Sequence, residues 1–434
     1  MTDTNLSTSV LAAWRNPGLI AHAQQGTMLV NRDRADRIMD KYGLDGLVAA
    51  LPSNIYYLSS HLGISSMMGR HYSSYAVLPR NREAPASLVI NGSMVYHLDY
   101  RPTWMQNLEL FSYPRPDASG EAEPLPSPWA QVVREASMTD RDRLLMAFYA
   151  EYEGKTAPSA AASLVRALAK AGLTRATVGF DDMRVPGALG SDFGGTAVDA
   201  LNIFREIRMV KSEPEVAILR QAAIKNEAAL DAAIATMHVG QPIGDVDIGH
   251  QRTWGELGGA SLWLIVNQRG LNSGFIEKDE PTKIDSVGEY LGYKGDVGRT
   301  IVVGTPPDEV ARRAEANTAA LATFYAEVRP GMTFAQSAVI IADVLRQHGF
   351  ARGGGGAHPV GLEHTDQPWP TGAEADPAAF RDLMIYEDGM VFTMDMPYHE
   401  VGYGTSHVED MMVVRANGAE GLSSMDTSLR VLPA

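Results

Sequence analysis

The feature that most constrains this chain is the stretch 283–300, which reads K-I-D-S-V-G-E-Y-L-G-Y-K-G-D-V-G-R-T. Its two acids, Asp285 and Asp296, stand eleven residues apart, and the β-branched run 301–303 follows them. The pattern predicts a β-hairpin that turns near Gly288. Carboxylates brought together across such a hairpin repel one another and take up protons unless a cation lies between them. The hairpin therefore predicts a metal site, provided that the chain supplies more ligands.

Three later segments can supply those ligands. His358 lies in the glycine-rich stretch 353–364, where the backbone can approach a site closely. Asp395 and Glu409 each lie among strand-forming residues, where an unpaired carboxylate is unfavourable. Four carboxylates and one imidazole suit one or two ions of Mn, Fe, Co or Zn, and two ions about 3.5–4 Å apart would share carboxylates as bridges. The predicted metal ligands are Asp285, Asp296, His358, Asp395 and Glu409.

Composition limits the partners of the chain. At 434 residues two domains are expected, and the net charge of −15 comes without the basic stripe of a nucleic-acid binder. The apolar runs fall far short of the roughly 20 residues that span a membrane. The absence of cysteine excludes disulfides and thiolate chemistry, and together with an N-terminus unlike a signal peptide it favours a cytoplasmic location. We therefore expect neither nucleic acid nor membrane as a partner.

A change of pattern near residues 205–212 divides the chain into an N-terminal domain, 1–210, and a C-terminal domain, 211–434. In the first domain helices alternate with strands, which predicts an α/β layer with a mostly buried sheet. The predicted helices are 31–43, one opening at Pro52, and 158–172, and the predicted strands are 44–50, 74–78, 86–90, 94–98 and 176–180. We also expect a helical arm over 6–24 and an exposed loop over 113–128.

The C-terminal domain is predicted to be α+β, because helices are followed by antiparallel strands. Its first helix begins at the Ser212 cap, has acids and a proline in the first turn, and runs to about residue 237. Further helices are predicted at 243–257, 306–328 and 333–348, with a strand at 261–267 before the hairpin.

The five ligands, in this order and context, resemble the pita-bread metallopeptidase family, which includes methionine aminopeptidase, Xaa-Pro aminopeptidase, prolidase and creatinase. The resemblance covers about 211–434 and includes the acid after G-M-V-F-T and the pair Glu409-Asp410. The segments 43–48 and 54–58 and the junction 208–212 are similar to the creatinase and Xaa-Pro branch. The resemblance implies a creatinase-like α/β N-terminal domain, an α+β pita-bread catalytic domain and a homodimer.

The resemblance also implies roles for the ligands. Asp285 would chelate one metal ion, and Asp296 and Glu409 would bridge two. His358 and Asp395 would complete the second position. A water activated by the metal would attack an amide-like carbon, while a nearby imidazole would stabilise the oxyanion or protonate the leaving nitrogen. The candidates for the catalytic acid-base roles are His364, His407 and Asp366.

Several positions depart from the family pattern. Asp395 stands where the family usually has Glu, so its carboxylate is one methylene shorter. The family's second catalytic His normally follows the ligand His by seven residues, but here Thr365 is at seven and His364 at six. A further family His is expected some 17–18 residues before the first Asp, and the segment around Asn267 contains none. His407 stands two residues before Glu409, where the family often has Arg.

The leading interpretation is a metal-dependent hydrolase that cleaves the C–N bond of a small substrate or Xaa-Pro peptide. Peptidase members use the His that the Asn267 segment lacks, so a metal-dependent lyase, or another non-peptidase similar to the dimethylsulfoniopropionate lyase of this fold, stays open as an alternative. A third alternative is a binding module that has lost catalysis. Its signature would be missing ligands, whereas all five positions here keep coordinating groups.

Overall fold

The computed structural model describes residues 27–69, 72–95, 97–112, 115–116, 122–123, 134–369 and 384–434. The arm predicted over 6–24 and most of the loop predicted over 113–128 lie outside these residues. The chain divides into two compact units, Met1–Ile207 and Arg208–Ala434. The division therefore falls three residues before the boundary expected from the sequence.

The N-terminal unit is built on a six-stranded mixed sheet with the order β4-β3-β2-β1-β7-β8. Strand β1 pairs antiparallel with β2 and parallel with β7. The strands are β1 Gly46–Ala49, β2 Ser74–Pro79, β3 Ser87–Asn91, β4 Asn107–Phe111, a short ribbon of β5 Arg115–Pro116 and β6 Ala122–Glu123, β7 Thr177–Phe180 and β8 Thr196–Asp199. The helices are α1 Arg32–Tyr42, α2 Pro52–Ser59, α3 Ile64–Met67, α4 His97–Tyr100, α5 Asp140–Glu151, α6 Ala160–Lys170, α7 Arg184–Leu189 and α8 Leu201–Met209.

Local signals explain most of these boundaries. Helix α1 begins after Asn31, whose side chain accepts a hydrogen bond from the backbone N–H of Arg34, and it ends at Gly43 in the left-handed conformation. The strand predicted at 94–98 is wrong, because the chain forms a 3-10 turn at Gly92–Met94 and then α4. Asn91 starts that turn by accepting a hydrogen bond from the backbone N–H of Ser93 at 2.9 Å.

In its described residues the C-terminal unit combines four helices with an eight-stranded sheet, in which β12-β13-β16-β11-β10-β9 are neighbours in that order, β17 pairs with β16 and β18 with β11. The helices are α9 Glu213–Ile234, α10 Ile243–Glu256, α11 Asp308–Glu327 and α12 Phe334–Gln347. The strands are β9 Ala260–Gln268, β10 Pro281–Tyr290, β11 Tyr293–Val303, β12 Gly356–Pro359, β13 Val391–Asp395, the ribbon β14 Tyr398–Glu400 and β15 Gly404–Ser406, β16 Glu409–Arg415, β17 Gly418–Gly421 and β18 Arg430–Leu432.

Two apolar cores hold this sheet against its helices. One core packs α11 and α12 on β13 and β16, with Phe324, Phe392 and Met412 fully buried. The other packs α9 and α10 on the hairpin through residues such as Leu230 and Val297. Burial of this kind stabilises by about 25 cal/mol per Å² of apolar surface removed from water. The sheet is therefore a rigid platform for the polar side chains on its remaining face.

The predicted hairpin is present, but its turn lies at Leu291 and Gly292 rather than near Gly288. Strands β10 and β11 stay paired through Gly288, which lies opposite Gly295. The reason for glycine at 288 is packing, since a Cβ there would lie 2.0 Å from Cε2 of the buried Trp254. Leu291 and Gly292 both have positive φ, which suits a two-residue hairpin turn. In the residues that the structure describes, no helix is long and apolar enough to cross a membrane.

Candidate metal centre

Four strands of the C-terminal sheet place one residue each in a single row across the strand direction. Asp285 on β10 lies opposite Gly298 on β11, Gly298 lies opposite Glu409 on β16, and Glu409 lies opposite Asp395 on β13. Residues directly opposite one another on paired strands share a face of the sheet. The register therefore brings together three carboxylates that are separated by up to 124 residues of sequence.

Asp296 belongs to the same face, two residues before Gly298 and diagonally across from Asp285. It is 1% exposed, and neither of its carboxylate oxygens has a hydrogen-bond partner in the described residues. An ionised carboxylate buried without a partner is strongly unfavourable. This orphaned carboxylate is the observation that fits a bound divalent cation.

His358 lies on β12, directly opposite Thr393 of β13, and its side chain is on the same face of the sheet. Its Nε2 lies 3.6 Å from Oε1 of Glu409 and 3.9 Å from Oδ2 of Asp296, and 3.0 Å from Oγ1 of Thr393. Its Nδ1 is buried and has no hydrogen-bond partner among the described residues. The imidazole is thus placed with Nε2 among the carboxylates.

His407 occupies the centre of the row. Its ring lies directly over Gly298, where a Cβ atom would be 2.2 Å from Cε1 of the imidazole. Its Nε2 is 2.5 Å from Oδ1 of Asp395 and 3.4 Å from Oε2 of Glu409. The side chain is fully buried, so these contacts are shielded from water.

Three overlapping sets of side chains could each hold an ion, with one ligand atom per residue and all ligand atoms within 4.8 Å of one another. The sets are Asp296 with His358 and His364, Asp285 with His407 and Glu409, and His358 with Asp395 and Glu409. All five predicted ligands appear in these sets. Their oxygen-rich donors with imidazole nitrogens suit borderline divalent ions.

Electrostatics within the cluster indicate the same need for a cation. Burial raises the pKa of Glu409 well above its ordinary value, and the charges of Asp296 and Asp395 raise it further. Burial likewise raises the pKa of Asp285. Asp395 differs: burial opposes its ionisation, but the hydrogen bond and charge of His407 outweigh burial and lower its pKa. Of these three carboxylates, only Asp395, which is hydrogen-bonded to His407, has its ionised form favoured by its surroundings.

His364 lies at the edge of the cluster. Its Nε2 is 3.0 Å from Oδ2 of Asp296, although not in hydrogen-bonding geometry, and its ring packs edge-on against Trp263 at 5.0 Å between centroids. The side chain is 34% exposed, whereas the four carboxylates and His407 are more buried. His364 therefore meets both the cluster and solvent, and its catalytic role stays a prediction.

Asp366 does not fit the acid-base role predicted for it. It is 1% exposed and lies 2.7 Å from Nη2 of Arg208 and 3.0 Å from Nζ of Lys211. Burial alone would raise its pKa, but the two cations outweigh burial and hold the pKa at about 2. A carboxylate that is buried, doubly paired and ionised has no proton to exchange near neutral pH. Asp366 instead anchors the 361–366 loop, with Arg208 also paired to Glu363 at 2.8 Å.

Arg299 is a supporting residue that the sequence did not single out. Its guanidinium donates to the backbone oxygens of Gly298 and Glu409 at 2.7 and 2.8 Å and pairs with Asp410 at 2.8 Å. Tyr325 donates to the other oxygen of Asp410 at 3.2 Å. Groups that orient ligands from behind are a regular part of metal sites. Arg299 thus ties β11 to β16 at the point where the row of carboxylates crosses both strands.

A cavity of about 470 Å³ opens beside the row. Lys283, Asn267, Asn272, Tyr398 and His399 are among its lining residues. Lys283 lies two residues before Asp285 on the same face, and its Nζ is 3.5 Å from Oδ2 of that aspartate. Alternation along the strand could have identified Lys283, because residues i and i+2 point to the same side.

Comparison with known proteins agrees with this geometry. Residues 217–416 match the family model described as Metallopeptidase family M24. The Xaa-Pro dipeptidase of Pyrococcus horikoshii is 25% identical over 240 residues, which are 52% of this chain and 66% of that relative. A probable dipeptidase of Mycobacterium tuberculosis is 27% identical over 267 residues, or 56% of this chain and 66% of that relative. The chain thus spans just under two thirds of the length of these curated relatives.

Among solved structures, the Xaa-Pro dipeptidase from Bacillus anthracis is similar to this chain with a TM-score of 0.65 at 18% identity. The match covers 92% of this chain and 99% of that one. The likeness extends over both units, and it confirms the predicted fold class: an α/β N-terminal domain followed by a pita-bread C-terminal domain.

Proposed function

Because residues 217–416 match the model of Metallopeptidase family M24, we propose that this protein is a metal-dependent hydrolase that cleaves the C–N bond of a dipeptide. The first substrate class to test is Xaa-Pro dipeptides, since that is what the names of similar proteins state. The observation that carries the proposal is Asp296, whose buried carboxylate oxygens have no hydrogen-bond partner among the described residues and face two imidazoles.

The proposed ligands are Asp285, Asp296, His358, Asp395 and Glu409. Bound divalent ions supply Lewis acidity and make water a better nucleophile near neutral pH. The protein's own part is to fix the ligands, and it does so through the strand register and through Arg299 behind Glu409. Either one or two ions of Mn, Fe, Co or Zn are compatible with this donor set.

His364 is the proposed proton donor to the leaving nitrogen. It is the imidazole at this site with the largest exposed fraction, so a substrate can reach it, and its contact with Asp296 holds it at the reacting side. Imidazole is the side chain that enzymes use most often for general acid-base catalysis. His407 is fully buried and does not share this access.

The second candidate is a lyase, and it is favoured by one observation. On β9, which borders the row, Asn267 donates to Asn272 at 2.6 Å where the peptidase pattern expects a histidine. With an amide in that place, one proton-transfer group of the peptidase pattern is absent from the cavity beside Asp285. A lyase would instead remove a proton next to a carboxylate of the substrate and release an unsaturated product.

The test is to load the metal-free protein with Mn, Fe, Co or Zn and to assay Xaa-Pro dipeptides beside small amides and zwitterions in ¹⁸O-labelled water. Label in the acid product marks hydrolysis, and an unsaturated product marks elimination. Asp296→Asn should abolish either activity, whereas Asp343→Asn, which changes a surface carboxylate, should leave it intact. A protein that binds none of these ions would contradict both candidates.

A homodimer and a cytoplasmic location are part of the same proposal. The homodimer follows from the resemblance to the creatinase and Xaa-Pro branch. Light scattering coupled to size-exclusion chromatography tests it, and a monomer at micromolar concentration would contradict it.

A further inference from the structure

His407 is buried in the middle of the carboxylate row, and its surroundings define which ring nitrogen carries a proton. Its Nδ1 lies 3.2 Å from the backbone oxygen of Ile284. A carbonyl oxygen only accepts hydrogen bonds, so Nδ1 is the protonated nitrogen. Histidines that bind metals usually donate their other N–H to a backbone carbonyl or carboxylate in this way.

The second nitrogen, Nε2, faces acceptors alone. It is 2.5 Å from Oδ1 of Asp395 and 3.4 Å from Oε2 of Glu409. A neutral imidazole lone pair and an ionised carboxylate repel each other at these distances. Either a second proton or a metal ion must therefore lie between Nε2 and the carboxylates.

We propose that His407 is a metal ligand through Nε2, and that it joins Asp285 and Glu409 at one ion position. The inference rests on the proposed function, since it presumes that the cluster binds divalent ions. One oxygen of each acid and a nitrogen of His407 lie within 4.8 Å of one another. Ligands about 2.0–2.2 Å from a common ion lie roughly 3 Å apart, so small side-chain shifts complete the position.

Gly298 supports ligation by His407, because the absence of a side chain at residue 298 leaves room for the imidazole ring. Any side chain at 298 would overlap the ring, since even a Cβ would lie 2.2 Å from Cε1. The ring is thereby held against the sheet, with Nε2 between Glu409 and Asp395. These two residues lie directly opposite one another on β16 and β13.

Ligation by His407 would also change the chemistry of the site. Without it, the ion held by Asp285, Asp296 and Glu409 has oxygen ligands only, whereas His358 gives the other position a nitrogen. With His407, each position has one imidazole. Imidazole favours Zn, Co and Fe over harder ions such as Mn.

The alternative is that His407 is an imidazolium that neutralises the carboxylates without binding metal. The two roles make opposite predictions for the variant His407→Gln. Loss of a residue that only orients a ligand weakens metal affinity by roughly 10- to 100-fold. Loss of the ligand itself should therefore weaken metal affinity by about 100-fold or more. Loss of a competing cation leaves the carboxylates more negative, so metal binding stays the same or strengthens.

The experiment measures zinc and cobalt affinity by competition with a chromophoric chelator in wild type, His407→Gln and His407→Arg. Arginine keeps a positive charge but offers no lone pair. We expect both variants to lose affinity. His250→Gln is the matched control, because His250 is equally buried but has both nitrogens bonded to the hydroxyls of Ser261 and Ser286. It should keep the wild-type metal affinity.

A second measurement observes the imidazole of the wild-type protein directly. Nitrogen-15 NMR of the imidazoles in the zinc-loaded wild-type protein reports the state of each ring nitrogen, and His407→Gln assigns the signals. We expect His407 to have a protonated Nδ1 and a metal-bound Nε2. A doubly protonated His407 in zinc-loaded protein, or unchanged affinity in both variants, would overturn the inference and leave the proposed function standing. Wild-type protein that binds no ion would overturn both.

Discussion

Gly298 and His407 share one space in the sheet: a Cβ at residue 298 would lie 2.2 Å from Cε1 of the imidazole. Glycine is therefore required here for the side chain of another residue and not for its own backbone. Gly298 is also the residue through which Asp285 on one side and Glu409 on the other come into register. Gly298 thus sets the position of the imidazole at the centre of the row.

Replacing Gly298 by alanine should consequently damage both stability and metal binding. The added methyl group must displace the ring of His407, and such overpacking costs about 1–3 kcal/mol. Gly356→Ala is the control, because Gly356 lies opposite Asp395 in the same row and nothing lies within 4 Å of its Cβ position. Urea unfolding and chelator competition measure the two effects. Wild-type metal affinity in Gly298→Ala would show that the ring position is unimportant for binding.

Local patterns in the sequence were enough for most of the fold. The hairpin and the helix that starts at Ser212 depend on short-range signals, and the structure has both, including a capping box at Ser212 and Glu215. The turn near Gly288 was wrong because glycine is ambiguous in a sequence. There it makes room for Trp254, which lies 34 residues earlier.

The roles of Gly298 and Asp366 depend on distant partners, and a sequence without a known register cannot supply them. Asp366 stands two residues after His364, which suggests an acid-base pair, yet its actual partner Arg208 lies 158 residues away. In the same way, the proximity of His407 to Asp395 follows from the pairing of β13 with β16. The sequence could indicate candidate ligands, whereas it could not indicate their neighbours in space.

The ion pairs of Asp366 predict a stability loss at low pH. Its pKa of about 2 in the folded protein is below the roughly 3.9 of an unfolded chain. Its stabilising contribution is therefore complete above about pH 5 and is lost as pH falls towards 2. Asp366→Asn should lower the free energy of unfolding by about 3–5 kcal/mol at pH 7, because Arg208 loses a buried partner. Near pH 3 the loss should be smaller by about 1 kcal/mol, because the unfolded chain is largely protonated there while the folded carboxylate is still largely ionised.

Urea unfolding of Asp366→Asn at pH 3, 5 and 7 measures this effect, with the surface variant Asp343→Asn as the control that should change stability by less than about 0.5 kcal/mol. The pH–rate profile of the folded variant adds a second readout. A large fall in kcat with a shifted profile, at unchanged stability, would restore the acid-base role for Asp366.

The position of Lys283 predicts that the protein prefers substrates with a free carboxylate. Its ammonium lines the cavity beside Asp285 with a side chain that is 19% exposed, so it can meet a bound anion. A hydrogen bond between charged groups contributes about 1.5–3 kcal/mol, so Lys283→Met should raise KM roughly 10- to 100-fold for free dipeptides. Dipeptide amides should be affected far less. Lys278→Met, at an exposed position, is the control. An equal rise in KM for both substrate types would contradict this role.

We expect a variant of His364 and a variant of His407 to show opposite patterns when kcat and zinc affinity are measured. Because its side chain is 34% exposed and touches Asp296 without hydrogen-bonding geometry, it is placed to exchange protons with a substrate. Removal of a general acid lowers kcat by about 10²- to 10⁴-fold. We therefore expect His364→Gln to lose this much kcat while its zinc affinity stays within about threefold, whereas His407→Gln loses zinc affinity first.

The control is His348→Gln, which replaces an exposed histidine at the end of α12 and should change neither kcat nor zinc affinity. Loss of zinc by His364→Gln would instead make His364 a ligand together with Asp296 and His358, which form one of the three sets whose ligand atoms lie within 4.8 Å of one another.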